Sequence, residues 1–107
     1  MHKNLDRRDH YAVIFTSKLK HPAHGYEEMA FQMEELAKKQ PGFLGVESAR
    51  SDLGITVSYW TDQEAVKNWK EQLEHLKAQE LGKSKWYDWY KVHVCKIERA
   101  YQFTSTD

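Results

Sequence analysis

The spacing of apolar side chains changes along the chain, and each change marks an element. Tyr11-Ala12-Val13-Ile14-Phe15-Thr16 is rich in β-favouring residues and predicts a strand from His10 to Leu19. The stretch from Lys20 to Gly25 holds Pro22 and reads as a loop. From Tyr26 the period becomes helical: Tyr26, Met29, Ala30, Met33, Leu36 and Ala37 share one face, and Pro41-Gly42 stops the helix. Glu27, Glu28, Lys38 and Lys39 lie mainly off that face, acid before base, as the helix dipole favours. Phe43 to Arg50 and Leu53 to Trp60 predict two strands joined at Ser51-Asp52, the second with a clean period of two. Thr61-x-x-Glu64 reads as a capping box, and Ala65, Val66, Trp69, Leu73 and Leu76 form the stripe of a second helix that ends near Gly82. Trp86 to Tyr90 is an aromatic linker into a long last strand, Tyr90 to about Phe103. Val92 and Val94 face one way there, and Ile97, Tyr101 and Phe103 the other, which implies a bulge or twist near Cys95.

The order β-α-β-β-α-β is that of the ferredoxin-like α+β fold, an antiparallel sheet with both helices on one face. The whole chain, residues 1–107, is expected to be a single domain, with residues 1–9 a frayed polar tail. Two helices cover one sheet face only. The other is expected to be hidden by a second copy, making a homodimer.

Composition narrows the function. Sixteen basic residues balance sixteen acidic ones, so the basic surplus that drives phosphate binding is missing and nucleic acid is not an expected partner. The single cysteine excludes an internal disulfide and a cysteine zinc cluster. No apolar run approaches the ~20 residues of a membrane span, and the start has no signal-peptide segment, so a cytoplasmic protein with no membrane contact is expected. No phosphate loop, nucleophile elbow, zinc motif or EF-hand is present. Four Trp, six Tyr and four Phe make 13% of the chain, an enrichment that suits a ligand cavity or an interface.

Several segments carry a likeness. Pro41-Gly42-Phe43-Leu44-Gly45-Val46-Glu47, Ile55-Thr56-Val57-Ser58-Tyr59-Trp60, Trp69, Trp86-Tyr87-x-x-Tyr90-Lys91-Val92 and Glu98-Arg99-Ala100-Tyr101 together resemble the antibiotic-biosynthesis-monooxygenase family of dimeric α+β barrels. The resemblance spans about Asp9 to Phe103 and implies two protomers stacked sheet to sheet, each with a cavity between sheet and helices. It implies one of several chemistries: metal-free and flavin-free oxidation of electron-rich aromatics, haem binding and ring opening, or quinol consumption. In the haem branch a helix histidine ligates iron, with a strand asparagine and a helix tryptophan nearby. Trp69 matches the tryptophan, but Gln79 stands at the histidine position, Phe15 and Thr16 replace the asparagine, and His75 lies one turn too early. In the cofactor-free branch a polar aromatic follows the tryptophan by six residues, which is His75 here. An asparagine four residues before it is replaced by Ala65.

The candidate site follows from these positions. Trp69 is either a core tryptophan or a cavity wall whose indole N–H donates to substrate. Gln72, His75 and Gln79 form one ridge, either a solvated face or a cavity wall bearing a base suited to deprotonating a phenol or quinol. Tyr59, Trp60 and Tyr101 are candidate donors to a bound aromatic, with sheet packing or dimer contact as the alternative. His93 is read as a structural or surface group, Cys95 as a small buried residue, Phe31 as exposed, and the loop pair His21 and His24 as no metal site. The expected activity is a cofactor-independent monooxygenase acting with dioxygen on a small hydrophobic aromatic or quinol, with His75 as base and Trp69 positioning the ring. A haem-binding dimer and a non-catalytic dimer are the alternatives.

Overall fold

The β-rich run at Tyr11–Leu19 is the central strand of the computed structural model. The structure describes residues 2–5, 10–79 and 86–106, with side chains at 10–74 and 86–106. In chain order the elements are β1 (His2–Leu5), β2 (Tyr11–Leu19), α1 (Tyr26–Lys38), β3 (Phe43–Arg50), β4 (Gly54–Trp60), α2 (Gln63–Gln79), β5 (Tyr87–Lys96) and β6 (Ala100–Phe103). The main sheet has the order β3-β4-β2-β5, all antiparallel. From β2 to β5 the succession is the ferredoxin-like β-α-β-β-α-β, and the class is α+β.

Register sorts the helix-facing side chains into rows. Phe43, Trp60 and Tyr11 form the first, and Val46, Ser58, Val13 and Val94 the second. Ser48, Thr56, Phe15 and Val92 form the third, and Arg50, Gly54, Ser17 and Tyr90 the fourth. Two cores sit at the two ends of this ladder. Val13, Ala37, Trp60, Ala65, Val66 and Trp69 pack at the first, with Trp60 0% exposed. Met29, Trp86 and Tyr87 pack at the other, joined by Phe15, Tyr26 and Tyr90.

The helices begin and end for local reasons. Gly25, at φ 85°, turns the chain into α1, and Met29 N–H donates to its carbonyl at 3.1 Å. Gly42, at φ 83°, lies so close to α2 that a Cβ there would come within 2.6 Å of Ala65 Cβ and Thr61 Oγ1. The cap of α2 is Asp62, not the expected Thr61: Ala65 N–H donates to Asp62 Oδ1 at 2.8 Å, while the Thr61 N–H is spent on the Gly42 carbonyl at 2.9 Å.

Four further expectations are corrected. His2–Leu5, read as tail, is a strand paired antiparallel with β6, Lys3 opposite Gln102. The long last strand is broken after Lys96, and Ile97 N–H donates instead to the His10 carbonyl at 2.9 Å, which detaches β1 and β6 as a separate ribbon. The aromatic linker is core and strand: Trp86 and Tyr87 are buried, and β5 already starts at Tyr87. Cys95 is exposed rather than buried, because β5 is an edge strand and no helix covers the face that Cys95 occupies. Leu76 lies in α2 with its side chain outside the described residues, and Gly82 lies outside them altogether.

The second sheet face carries Ile14, Ile55, Val57 and Trp89, with Ile55 47% and Trp89 41% exposed. Among the described residues no helix is long and apolar enough to cross a membrane.

Candidate functional site

Between the sheet and the two helices lies a cavity of about 600 Å³. The second and third rows are its floor. The half on β2 and β5 is apolar, with Val13, Phe15, Val92 and Val94, and the half on β3 and β4 presents the hydroxyls of Ser48, Thr56 and Ser58. One helical face of α2 supplies Val66, Trp69, Lys70, Leu73 and Glu74, and α1 supplies Tyr26, Ala30, Met33 and Glu34. An apolar hollow with a few placed polar groups is the usual form of a small-molecule site.

At the first-row end, Trp69 stacks on Trp60 with ring centroids 5.6 Å apart and 24° between planes, and Phe43 meets Trp60 edge-on at 5.6 Å. The Trp60 indole N–H donates to Ser58 Oγ at 2.8 Å, so its polarity is satisfied inside the strand. The Trp69 indole N–H has no hydrogen-bond partner among the described residues. Trp69 is therefore both core and wall.

At the fourth-row end the wall is tyrosine. Tyr90 stacks on Phe15 at 5.2 Å, and Tyr87 meets Phe15, Tyr26 and Tyr90 edge-on at 5.7, 5.7 and 5.4 Å. Trp86 pins this end to the loop before α1 by donating its indole N–H to the His24 carbonyl at 2.7 Å. Burial pushes the Tyr87 phenol above the usual tyrosine range. The neighbouring Tyr26 and Tyr90 add to the shift, and the Arg50 charge opposes it. Tyr87 is thus a neutral hydroxyl at physiological pH, not a base.

Of the residues singled out from the chain pattern, Trp69 lines the cavity and Trp60 braces it from the core. Gln72 is exposed and stands outside the wall, because the cavity face of α2 runs through Val66, Trp69, Lys70, Leu73 and Glu74 and leaves Gln72 on the other side. Tyr59 sits on the opposite sheet face and donates its hydroxyl to Glu47 at 2.7 Å. Tyr101 is exposed on the β6 ribbon, under the Arg99 guanidinium. The side chains of His75 and Gln79 lie outside the described residues. His21 and His24 are exposed, and among the described residues no group of three His, Cys, Asp or Glu side chains is placed to hold a metal ion. His93 and Phe31 are exposed.

The arrangement has relatives. Residues 10–81 match the antibiotic biosynthesis monooxygenase family. The chain belongs to that family. The uncharacterized protein YqjZ of Bacillus subtilis (strain 168) is 48% identical over 96 residues, covering 88% of this chain and 84% of its own. Among solved structures, SnoaB, a cofactor-independent oxygenase from Streptomyces nogalater, superposes with a TM-score of 0.66 at 14% identity, covering 92% of this chain and 99% of its own. NE2512 of Nitrosomonas europaea, a protein of unknown function, gives a TM-score of 0.72 at 8% identity over 92% and 98% of the two chains. At such identities these structures share the monooxygenase-family fold, while the side chains of each cavity are its own.

The wall residues that the chain pattern missed are Tyr26, Tyr87, Tyr90, Lys70, Glu74 and Lys91. Their signal was present in part. Positions 70, 73 and 74 flank Trp69 at helical spacing, and alternation back from Trp60 puts Ser58 and Thr56 on the cavity side.

Proposed function

We propose that the cavity binds a small electron-rich aromatic or quinol and oxidises it with dioxygen without a bound cofactor. The observation that carries this reading is Trp69: a buried wall tryptophan, its indole N–H without a partner among the described residues, at the first-row end of an apolar cavity. Family membership and the fold shared with the oxygenase SnoaB support it.

The chemistry asks little of a protein except placement. An anthrone-like substrate loses a C–H proton, and the resulting carbanion passes one electron to dioxygen. The radical pair joins as a peroxide at that carbon. Cleavage of the O–O bond with loss of the second C–H proton leaves a carbonyl and releases one water, so both oxygen atoms and all electrons are accounted for. The protein must orient the ring, favour the anion and exclude bulk water. We place the proton acceptor on the last described turns of α2, at Glu74 in the wall or His75 beside it. Oxygen uptake by His75→Ala and Glu74→Gln assigns the step to the residue whose loss lowers the rate by about 10²-fold or more.

Oxygen uptake with a hydroquinone and an anthrone tests the reading. Trp69→Phe should keep the fold and lower turnover about tenfold, through loss of one N–H donor. Gln72→Ala, outside the wall, should leave it unchanged. Uptake no faster than in buffer for every such substrate would overturn the proposal. Haem fits less well: the described wall residues include neither histidine nor cysteine. The working unit in this reading is a homodimer closed over the Ile55 and Trp89 face. Light scattering should give about twice the 12.7 kDa chain mass, and a stable monomer at micromolar concentration would refute the dimer.

A further inference from the structure

Arg50 ends β3 one row beyond the cavity floor, and its side chain is held in place. It donates to the Ser17 hydroxyl, which is fully buried, and to the Ser17 carbonyl at 3.5 Å. It crosses β4 at Gly54, where a Cβ would overlap the guanidinium. Its carbon lies 5.3 Å from the centroid of the Tyr26 ring, and one N–H donates to the Tyr26 hydroxyl at 3.4 Å. Among the described residues Arg50 makes no ion pair.

Tyr26 is the link to the cavity, because its side chain is part of the wall. Its oxygen accepts from Arg50 at 3.4 Å, which leaves the hydroxyl proton to be shared between the neighbouring Tyr87 and a guest in the cavity. A phenol polarised by a guanidinium is a strong donor to negative charge. The other charged wall residues cancel: Lys70 and Lys91 against Glu34 and Glu74. Arg50 therefore gives this end of the cavity a positive charge that is without an ion-pair partner among the described residues and is positioned before any ligand arrives.

We propose that Tyr26, backed by Arg50, forms an oxyanion-recognition subsite, and that the cavity selects aromatic ligands bearing an ionised oxygen. The apolar floor takes the ring, and the Tyr26 hydroxyl takes the charged oxygen, which is a carboxylate or a phenolate. Arg50 is a positioning residue that acts through Tyr26 and through its field. The proposal rests on the reading of this cavity as a substrate site, but not on any turnover there.

The test is ligand binding without turnover. 1-Naphthoate and its neutral analogue 1-naphthamide are titrated by calorimetry at pH 7.5, and nitrophenol by the visible absorbance of its phenolate. Naphthoate should bind at least roughly tenfold tighter than naphthamide. Bound nitrophenol should show a lowered apparent pKa if the site also accepts a phenolate; no shift confines the subsite to carboxylates. Arg50→Gln should remove most of the naphthoate preference and leave naphthamide affinity nearly unchanged, a pattern that general unfolding would not produce, and Tyr26→Phe should bring the two affinities close together by weakening naphthoate more than naphthamide. Gly54→Ala, which keeps the charge but displaces it from Ser17, should lower the preference part-way. Equal affinities for the two naphthyl ligands, no binding of either at millimolar concentration, or a preference that survives Arg50→Gln would overturn the proposal. A charge preference without oxygen uptake would overturn the oxygenase reading and leave the subsite standing. Uptake on neutral quinols without a charge preference would do the reverse.

Discussion

The two ends of the cavity are built on opposite principles. At the first row, aromatic rings seal the space: Phe43, Trp60 and Trp69 are packed face and edge, and the Trp60 N–H is answered two residues away by Ser58. At the fourth row, polar groups frame it: Arg50 reaches across Gly54 to Ser17, and its remaining reach is spent on Tyr26. Burial and dispersion hold the first end, and at the second the directional donors of Arg50 and Trp86 are added to the packing of Met29, Tyr87 and Tyr90. The lesson is that a residue's place along the ladder predicts what its loss removes. At the sealed end the loss of Trp60 is expected to remove stability; at the polar end the loss of Arg50 is expected to remove the proposed recognition.

The largest expected effect lies at the sealed end. Trp60→Ala removes a ring that is 0% exposed and leaves Trp69 and Phe43 without their partner. It should cost about 3–5 kcal/mol in denaturant unfolding, enough to leave the chain marginal or unfolded. Arg50→Ala should cost far less, since its residue is exposed. Equal losses at the two positions would erase the distinction.

The two glycines sharpen the comparison at smaller scale. A Cβ on Gly42 would strike Ala65 and Thr61 at 2.6 Å, in a residue already at φ 83°. Gly42→Ala should therefore cost about 1–3 kcal/mol. A Cβ on Gly54 would meet only the end of the Arg50 side chain, which can swing aside. Gly54→Ala should stay within about 1 kcal/mol of wild type while weakening anion preference. Thermal melts of the two variants rank them directly, and a Gly54→Ala melt as low as that of Gly42→Ala would contradict the assignment.

How much of this was legible in the chain differs between the ends. The sealed end was readable because it is local. Trp69 stands mid-stripe on a helix, Phe43 opens a strand directly after the Pro41-Gly42 stop, and Trp60 closes an alternating run. The polar end was not, because Arg50, Gly54, Ser17 and Tyr90 become neighbours only through the registers of β3, β4, β2 and β5. Nothing in the spacing of those four residues hints at the row they form. By spacing alone Tyr26 reads as one more apolar helix position and Tyr87 as linker. The Gln72 ridge shows the limit from the other side: helical spacing groups residues into a ridge but leaves open which way the ridge faces. The strand His2–Leu5 is illegible for a further reason, since His-Lys-Asn-Leu carries no alternating pattern and its partner β6 lies nearly a hundred residues away in the chain.

The smallest expected effect is visible only in alkali, and it separates the ends by their titration. Tyr87 is a buried phenol whose pKa is raised above the ordinary value of 10.0, first by burial and then by Tyr26. The fold keeps it protonated where the unfolded chain would let it ionise. Its contribution is therefore fully present below about pH 10 and is lost as the pH climbs above that value toward the raised folded pKa. The loss runs at up to about 1.4 kcal/mol per pH unit for one group. Tyr87→Phe removes that titration, so its stability should fall less steeply than wild type between about pH 10 and 11, whatever the offset between the two at neutral pH. Trp60 has no such group, and a mild substitution there, Trp60→Phe, should shift the stability curve without changing its alkaline slope. Urea melts at several pH values supply both slopes. Parallel curves for wild type and Tyr87→Phe would mean that the phenol titrates as it does in the unfolded chain, and that the polar end is wetter than its packing indicates.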